Sequence, residues 1–444
     1  MSELHSVEEA RDAVLAAVPP RTRTEYRTIA EAAGLVLAEP IVSLTALPPW
    51  DNSAMDGYAI RSGDVAGASE ADPGRLTVIG EVRAGIAPST VVERGTAIRI
   101  ATGAPIPPGA DAVAQVELTT PTDASGALSG PRGRDATGAP PAGILVHEAI
   151  GVGAAIRRRG SDLAEGLTIL EPGVAISAAG IALAAGAGVS HVSVYPKPRI
   201  AVLATGDEIV PAGQALGAAG IPDANGPGLA ALVEAAGGES SRSGIARDRL
   251  DDVLAHLTAS LIAEPDAIIV SGGVSVGPYD VVRTAFEQLG RIEMWKVAVQ
   301  PGKPFVFGTA SLGEGRPTTL LFGLPGNPVS SFVTFELFVR PAIRAMAGRR
   351  DVLRPTDRAI LGDDVSKSAG RRAFIRVTAE RDKTGTPIRD DRGRVRVRLS
   401  GGAAGQGSHV LSALATADAL AVIPEAHDTL AAGAEVELWW LDRA

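Results

Sequence analysis

The sequence predicts a multidomain protein that combines α/β and all-β parts, and three observations carry that prediction. At 444 residues the chain exceeds one ordinary core, and about three domains is the starting expectation. Four glycine-rich stretches then fall between residues 205 and 328: Thr205-Gly206-Asp207-Glu208, Ser271-Gly272-Gly273-Val274-Ser275-Val276-Gly277, Pro301-Gly302-Lys303-Pro304 and Leu324-Pro325-Gly326-Asn327-Pro328. Three of them follow short apolar runs, Ile200–Leu203, Ala267–Val270 and Leu320–Phe322, and helical patterns follow over Asp280–Leu289 and Val329–Ala347. Strand, glycine-rich loop and helix in repetition describe a doubly wound sheet whose backbone N–H groups line one edge, where a polyanionic ligand would sit. Finally, beyond Gly348, alternation such as Arg394–Leu399 and frequent turn signals indicate a small all-β domain.

The elements follow in order. Ser6 with Glu9 forms a capping box, and Val7, Ala10, Val14, Leu15 and Val18 continue at helical spacing until Pro19-Pro20. Thr28 with Glu31 repeats the signature before Gly34, and Val36–Leu44 reads as extended. Residues 51 to about 118 are β-rich, with Leu76–Ile79 and Ala97–Ile100 set between Gly and Pro turns. Thr119–Gly143, rich in Pro, Gly, Ala, Thr and Ser and without periodicity, predicts a mobile loop. Residues 163–197 return to helix and strand, so residues 51–162 look inserted into a domain made of 1–50 and 163–197. The α/β part spans 198–347 and the last domain 348–444. Val174–Val189 is uncharged but short and Ala/Gly-rich, which predicts a closely packed buried helix and not a membrane span.

Composition narrows the chemistry. A net charge of −9 argues against a general nucleic-acid binder. With no cysteine, disulfides, thiolate zinc sites and cysteine nucleophiles are excluded. The six histidines lack metal-ligand spacing, which points any metal to oxygen ligands, as hard Mg²⁺ prefers. Glu3, Glu8 and Glu9 near the start, without a signal-peptide apolar core, lead to the expectation of a cytoplasmic protein. Lys367–Arg398 holds 11 basic and 4 acidic residues, read as a solvated strand face ahead of a phosphate-facing surface.

Neither G-x-G-x-x-G nor a P-loop occurs, so the Ser271–Gly277 loop suits phosphate or a polar ring without either code, or is simply a tight turn. Other segments sharpen it. Asp51-Asn52-Ser53-Ala54-Met55-Asp56-Gly57-Tyr58-Ala59, Ile98-Arg99-Ile100-Ala101-Thr102-Gly103-Ala104-Pro105 and the Arg157–Asp162 run precede Thr205–Glu208 in that order. With Ser271–Gly277 and Leu324–Ser330 after them, they resemble the MoeA family, the molybdopterin molybdenumtransferases, which also includes the C-terminal part of gephyrin. The resemblance extends from about residue 6 to the end.

It implies a central three-layer α/β molybdopterin-binding domain, an elongated linker domain with an inserted β domain, and a C-terminal β-barrel. It also implies a homodimer in which Asp56, Thr102 and Asp162 of one subunit complete a site on the other. The implied reaction is insertion of molybdate into adenylylated molybdopterin with release of AMP; the molybdopterin adenylyltransferase becomes a candidate partner. The substrate side would be Thr205 and Gly206, the Ser271–Gly277 loop, Lys303, and Pro325-Gly326-Asn327-Pro328. Asp56, Asp162, Glu208, Asp248 and Asp280 would repel such anions unless a cation lay between, so Mg²⁺ is expected, with Glu208 and Asp280 as ligands and Lys296 adding positive charge. Plainer readings stand beside these: Asp207 or Glu208 as a turn cap, Asp280 as a helix N-cap, Asp248 as a surface ion-pair member. Gln300 stands where many family members carry a lysine. That loss leaves compensation to Arg371, Arg372 or Arg376 and raises a tungstate preference as an alternative, beside a non-catalytic pterin-binding scaffold and the earlier adenylylation step.

Overall fold

The computed structural model describes residues 4–134, 138–274, 281–313 and 316–441. At its centre lies a six-stranded sheet in the order Glu239–Ala246, Arg199–Thr205, Ala267–Ser271, Thr319–Leu324, Pro304–Ala310, Gly290–Lys296. The first four strands are mutually parallel, and Pro304–Ala310 runs antiparallel to both its neighbours. Alternate side chains leave the sheet on opposite faces: Ile200 and Val202 enter one core cluster, Ala201 and Leu203 the other. Helices Asn225–Ala236 and Pro328–Met346 cover the first face, and Leu250–Ile262 with Val281–Leu289 the second. This gives the expected three layers, and burial on both faces explains the uninterrupted apolar runs of the central strands.

The N-terminal helix forms as its capping box directs, Glu9 N donating to Ser6 Oγ at 3.1 Å and Ser6 N to Glu9 Oε2 at 2.8 Å. Its buried face, Val7, Ala10 and Val14, packs on the helical layer of the α/β unit. The second signature behaves differently. Thr28 N and Oγ1 both donate to Glu31 Oε2, yet residues 29–34 close only a turn, because Gly34 (φ +75°) and the strand Val36–Leu37 follow at once.

Three small sheets build the linker part: Glu25–Thr28, His191–Tyr195 and Val36–Leu37; Ile41–Val42 with Thr168–Leu170; and Asn52–Ser53 with Ile156–Arg157. Between them comes the six-stranded sheet Ala112–Gln115, Gly57–Ile60, Thr96–Ile100, Gly74–Val82, Gly143–Val146, Thr119–Thr122. The loop expected over Thr119–Gly143 therefore begins as a buried edge strand, paired with Gly143–Val146. Pro121 is tolerated there because an edge strand leaves alternate N–H groups outside the ladder. The Ala/Gly run is likewise corrected: helix Ala178–Gly186 buries Gly180 and Ala184, but Ala178, Ala179, Ala182 and Ala185 are exposed. No helix among the described residues is long and apolar enough to cross a membrane.

Beyond the α/β unit, strands Arg372–Ala379, Val395–Leu399, Thr356–Leu361, Glu435–Trp440 and Ala419–Ile423 close on the first to form a five-stranded barrel. The later part of its basic stretch is the ion-paired strand face expected, with Arg394 on Asp390, Arg389 on Asp357 and Arg398 on Glu380, whereas Lys367 and Arg376 in the earlier part are buried.

Candidate functional site

Strand order explains why the glycine-rich stretches meet. Arg199–Thr205, Ala267–Ser271 and Thr319–Leu324 are adjacent and parallel, and register aligns Ala204 with Ser271 and Ser271 with Leu324. Their following loops thus leave one edge together. The antiparallel strand Pro304–Ala310 starts at that same edge, which brings in Pro301–Pro304. Glycine is required at 272: its φ is +103°, and a Cβ would lie 2.5 Å from the Thr205 carbonyl oxygen.

Two cavities open along the edge and share Pro304. The first, about 600 Å³, is lined by Thr205, Glu208, Asp248, Ser271, Gly272–Val274 and Pro325–Pro328. Gly206 lies between Thr205 and Glu208, close under the Glu208 carboxylate. Asn225, which the sequence reading did not single out, ties these loops together: its Nδ2 donates to Ser271 Oγ and to Gly326 O, both at 2.7 Å. Ser271 Oγ also lies 3.2 Å from Ser331 Oγ. Nearby Asp223 accepts from Gly226 N and pairs with Arg242 at 2.5 Å, fixing the turn that delivers Asn225. The signal in the sequence was the Asp223-Ala224-Asn225-Gly226 run opening a helix, a capping pattern easily read as purely structural.

Asp248 is not a surface ion-pair member; its neighbour Arg249 pairs with Asp251 instead. Its carboxyl faces the cavity with a buried Oδ1 that has no hydrogen-bond partner. Burial, then the charges of Glu208 and Asp207, push its pKa above the ordinary 3.8. No group of three His, Asp or Glu side chains converges in metal-ligating geometry among the described residues, and Asp280, with Ser275 and Gly277, lies outside them. An orphaned carboxylate oxygen next to further acids is nevertheless the donor set a hard divalent cation fits.

The second cavity, also about 600 Å³, lies between the α/β unit and the barrel. Gln300 and Lys303 from one side meet Arg371 and Arg376 from the other. Arg376 is 1% exposed, its Nη2 donates to Gly405 O at 2.7 Å, its Nε has no partner, and burial pulls its pKa down to about 10. Gln300 Oε1 accepts from Ser368 N at 3.0 Å, so this side chain braces the barrel. Arg372 is drawn off to Glu8 and Glu425, which leaves Arg371 and Arg376 as the barrel's cations here.

The remaining expected residues divide. Asp56 and Thr102 do come together, Thr102 N and Oγ1 donating to Asp56 Oδ1 at 2.7 and 3.1 Å, on the inserted sheet. The pairing of Ile156–Arg157 with Asn52–Ser53 brings the start of the Arg157–Asp162 run near them, while Asp162 N donates to Leu47 O at 3.0 Å. None of the three lines either cavity of its own chain. Lys296 also lines neither; it ends its strand beside His5, whose N donates to Lys296 O.

A glycine-edged α/β domain that meets a β-barrel across a cationic cavity sets the class of architecture, and comparison with known proteins gives the family. The sequence matches the MoeA N-terminal region (domain I and II) over residues 5–188, the probable molybdopterin binding domain over 201–345 and the MoeA C-terminal region (domain IV) over 358–441. It is 35% identical over 418 residues to molybdopterin molybdenumtransferase 2 of Mycobacterium tuberculosis, covering 93% of each chain. With molybdopterin molybdenumtransferase 1 of that organism it shares 34% identity, covering 99% of each. The crystal structure of the molybdopterin biosynthesis MoeA protein from Pyrococcus horikoshii superposes with a TM-score of 0.76 at 29% identity, covering 99% of this chain and 100% of that one. The chain belongs to the MoeA family of molybdopterin molybdenumtransferases.

Proposed function

We propose that this protein is a transferase of molybdenum cofactor synthesis that inserts molybdate into adenylylated molybdopterin and releases AMP, with Mg²⁺ assisting. The observation that carries this reading is the pair of cavities at one sheet edge, one of loop backbone, hydroxyls and acids, the other cationic, meeting at Pro304. A phosphate-bearing pterin would lie on the Thr205, Ser271–Val274 and Pro325–Pro328 loops, held in register by Asn225. Lys303, Arg371 and Arg376 would hold the tetrahedral dianion beside it, Arg376 through its unpartnered Nε. Glu208 and Asp248 would hold Mg²⁺, which when bound supplies a positive charge between carboxylate and phosphate and polarises phosphorus. These residues orient the two anions against each other and exclude water between α/β unit and barrel.

Asp56, Thr102 and Asp162 would then serve a second copy of the chain. A homodimer is supported by large apolar side chains left uncovered on the linker part, Leu44 at 65%, Leu167 at 52% and Trp50 at 48% exposure, with the alanine face of Ala178–Gly186. Arg371→Gln tests the oxyanion assignment: the KM for molybdate should rise at least tenfold while binding of adenylylated pterin stays near wild type. An unchanged molybdate KM would remove Arg371 from the site.

A further inference from the structure

The chain passes between the linker sheet and the α/β unit at residues 17–24, after the N-terminal helix, and again at 196–198, between strands His191–Tyr195 and Arg199–Thr205. A cavity of about 360 Å³ lies where both crossings meet. Arg199, Glu239 and Asp266 stand at or just before the first residues of parallel strands, so this cavity is at the sheet's opposite edge from the glycine-rich loops. The seven residues of Arg199–Thr205 put about 20 Å between the two edges.

The lining is cationic in a chain whose net charge is −9. Arg21, Arg23 and Arg27 come from the first crossing and the strand that follows it; Lys197 and Arg199 come from the second. Facing them are three carboxylates. Glu25 is shared by Arg23 at 2.9 Å and Arg27 at 2.5 Å, and Asp266 accepts from Arg199 N at 2.7 Å. Glu239 is the third, so five cations meet three acids. Lys197 is exposed and makes no ion pair among the described residues. Arg21 is held in place: its Nη1 donates to Pro196 O at 3.1 Å and its guanidinium lies 5.7 Å from the centre of the Tyr195 ring. Its Nη2 is buried and has no hydrogen-bond partner. A guanidinium fixed at one nitrogen and unsatisfied at the other carries a desolvation cost that a bound acceptor would relieve.

We propose that this cavity binds a tetrahedral oxyanion of the phosphate class, which bridges Arg21 on the first crossing to Lys197 on the second. A dianion cancels the two-charge excess, supplies acceptors for Arg21 Nη2 and the Lys197 ammonium, and fits the volume with room for the remainder of a small phosphate ester. By joining both crossings it fixes the angle at which the linker part leaves the α/β unit. The site stands apart from the catalytic edge and does not depend on the function proposed for it.

The test is calorimetric titration of the full-length chain with inorganic phosphate at constant ionic strength set by NaCl. Glycerol phosphate is the second arm, distinguishing free phosphate from an ester. Arg371→Gln serves as the background, to weaken binding at the cationic cavity near the barrel. One phosphate-binding event should survive in Arg371→Gln, and adding Lys197→Gln should weaken it at least tenfold; Lys197 is exposed, so folding is spared. Adding Arg21→Gln instead should weaken it by at least as much. No event in the Arg371→Gln background, or an event unchanged by Lys197→Gln, overturns the proposal. Tighter binding of glycerol phosphate than of phosphate supports it with an ester as ligand, and the reverse order supports it with the free ion.

Discussion

Asp248 carries the sharpest electrostatic consequence of the site. Its folded pKa lies above the unfolded value, so the folded chain binds the proton more tightly, and stability falls as pH rises from the ordinary 3.8 through the raised folded value. Asp248→Asn should therefore raise the melting temperature at pH 7, and the gain should vanish near pH 3, where both carboxyl forms are protonated. Thermal unfolding across pH checks this; a gain that persists at pH 3 would show that the buried charge is not its cause. Asn225 makes a second case. Asn225→Ala removes two 2.7 Å hydrogen bonds, costing about 2 kcal/mol of loop order, so affinity for adenylylated pterin should fall roughly 30-fold in a chain that still folds. Affinity within threefold of wild type would assign Asn225 no positioning role. Asp248 was legible as a site candidate from the family pattern; its orphaned oxygen was not, because that depends on how strand ends 205 and 246 place it next to Glu208. Asn225 was overlooked because its partners lie 46 and 101 residues away.

Among elements, the long helix after Asn327 shows where local reasoning ends. A single helix was expected over Val329–Ala347, and the helical run is there. But Phe335–Val339 widens into a π turn, with Arg340 N donating to Phe335 O. Pro341 accounts for it: it has no N–H for Leu337 O and its ring crowds that carbonyl, so the preceding turn relaxes outward. The π turn carries Glu336, 2% exposed, into a two-point contact with Arg354 at 2.6 and 3.1 Å, and Arg354 Nη1 reaches Trp440 O at 3.0 Å. This buried carboxylate therefore helps to fasten the α/β unit to the chain entering and closing the barrel. Glu336→Gln leaves buried guanidinium charge without its counter-charge and should cost about 3 kcal/mol in chemical denaturation. A loss below about 1 kcal/mol would show that the Glu336–Arg354 contact is not what holds the barrel on the α/β unit. The edge strand Thr119–Thr122 was hidden for a related reason: Thr-Thr-Pro-Thr has no alternation to detect, and only pairing with Gly143–Val146 makes it a strand.

For the whole molecule, the three-layer centre and the final β domain were legible because burial on both sheet faces and on one barrel face writes itself as uninterrupted and alternating apolar runs. The meeting of Lys303 with Arg371 and Arg376 was not, since it depends on how the barrel docks. Nor does one chain contain the whole expected constellation: Asp56, Thr102 and Asp162 lie off both cavities. That division is what a site shared between two copies requires. Together these parts would transfer molybdenum to an adenylylated pterin. The most direct test is to give the purified protein adenylylated molybdopterin, molybdate and Mg²⁺ and follow the nucleotide. AMP should be released only with both molybdate and Mg²⁺ present, and release should be lost in Asp56→Ala; intact adenylylated pterin after prolonged incubation of the folded protein would rule the transfer out.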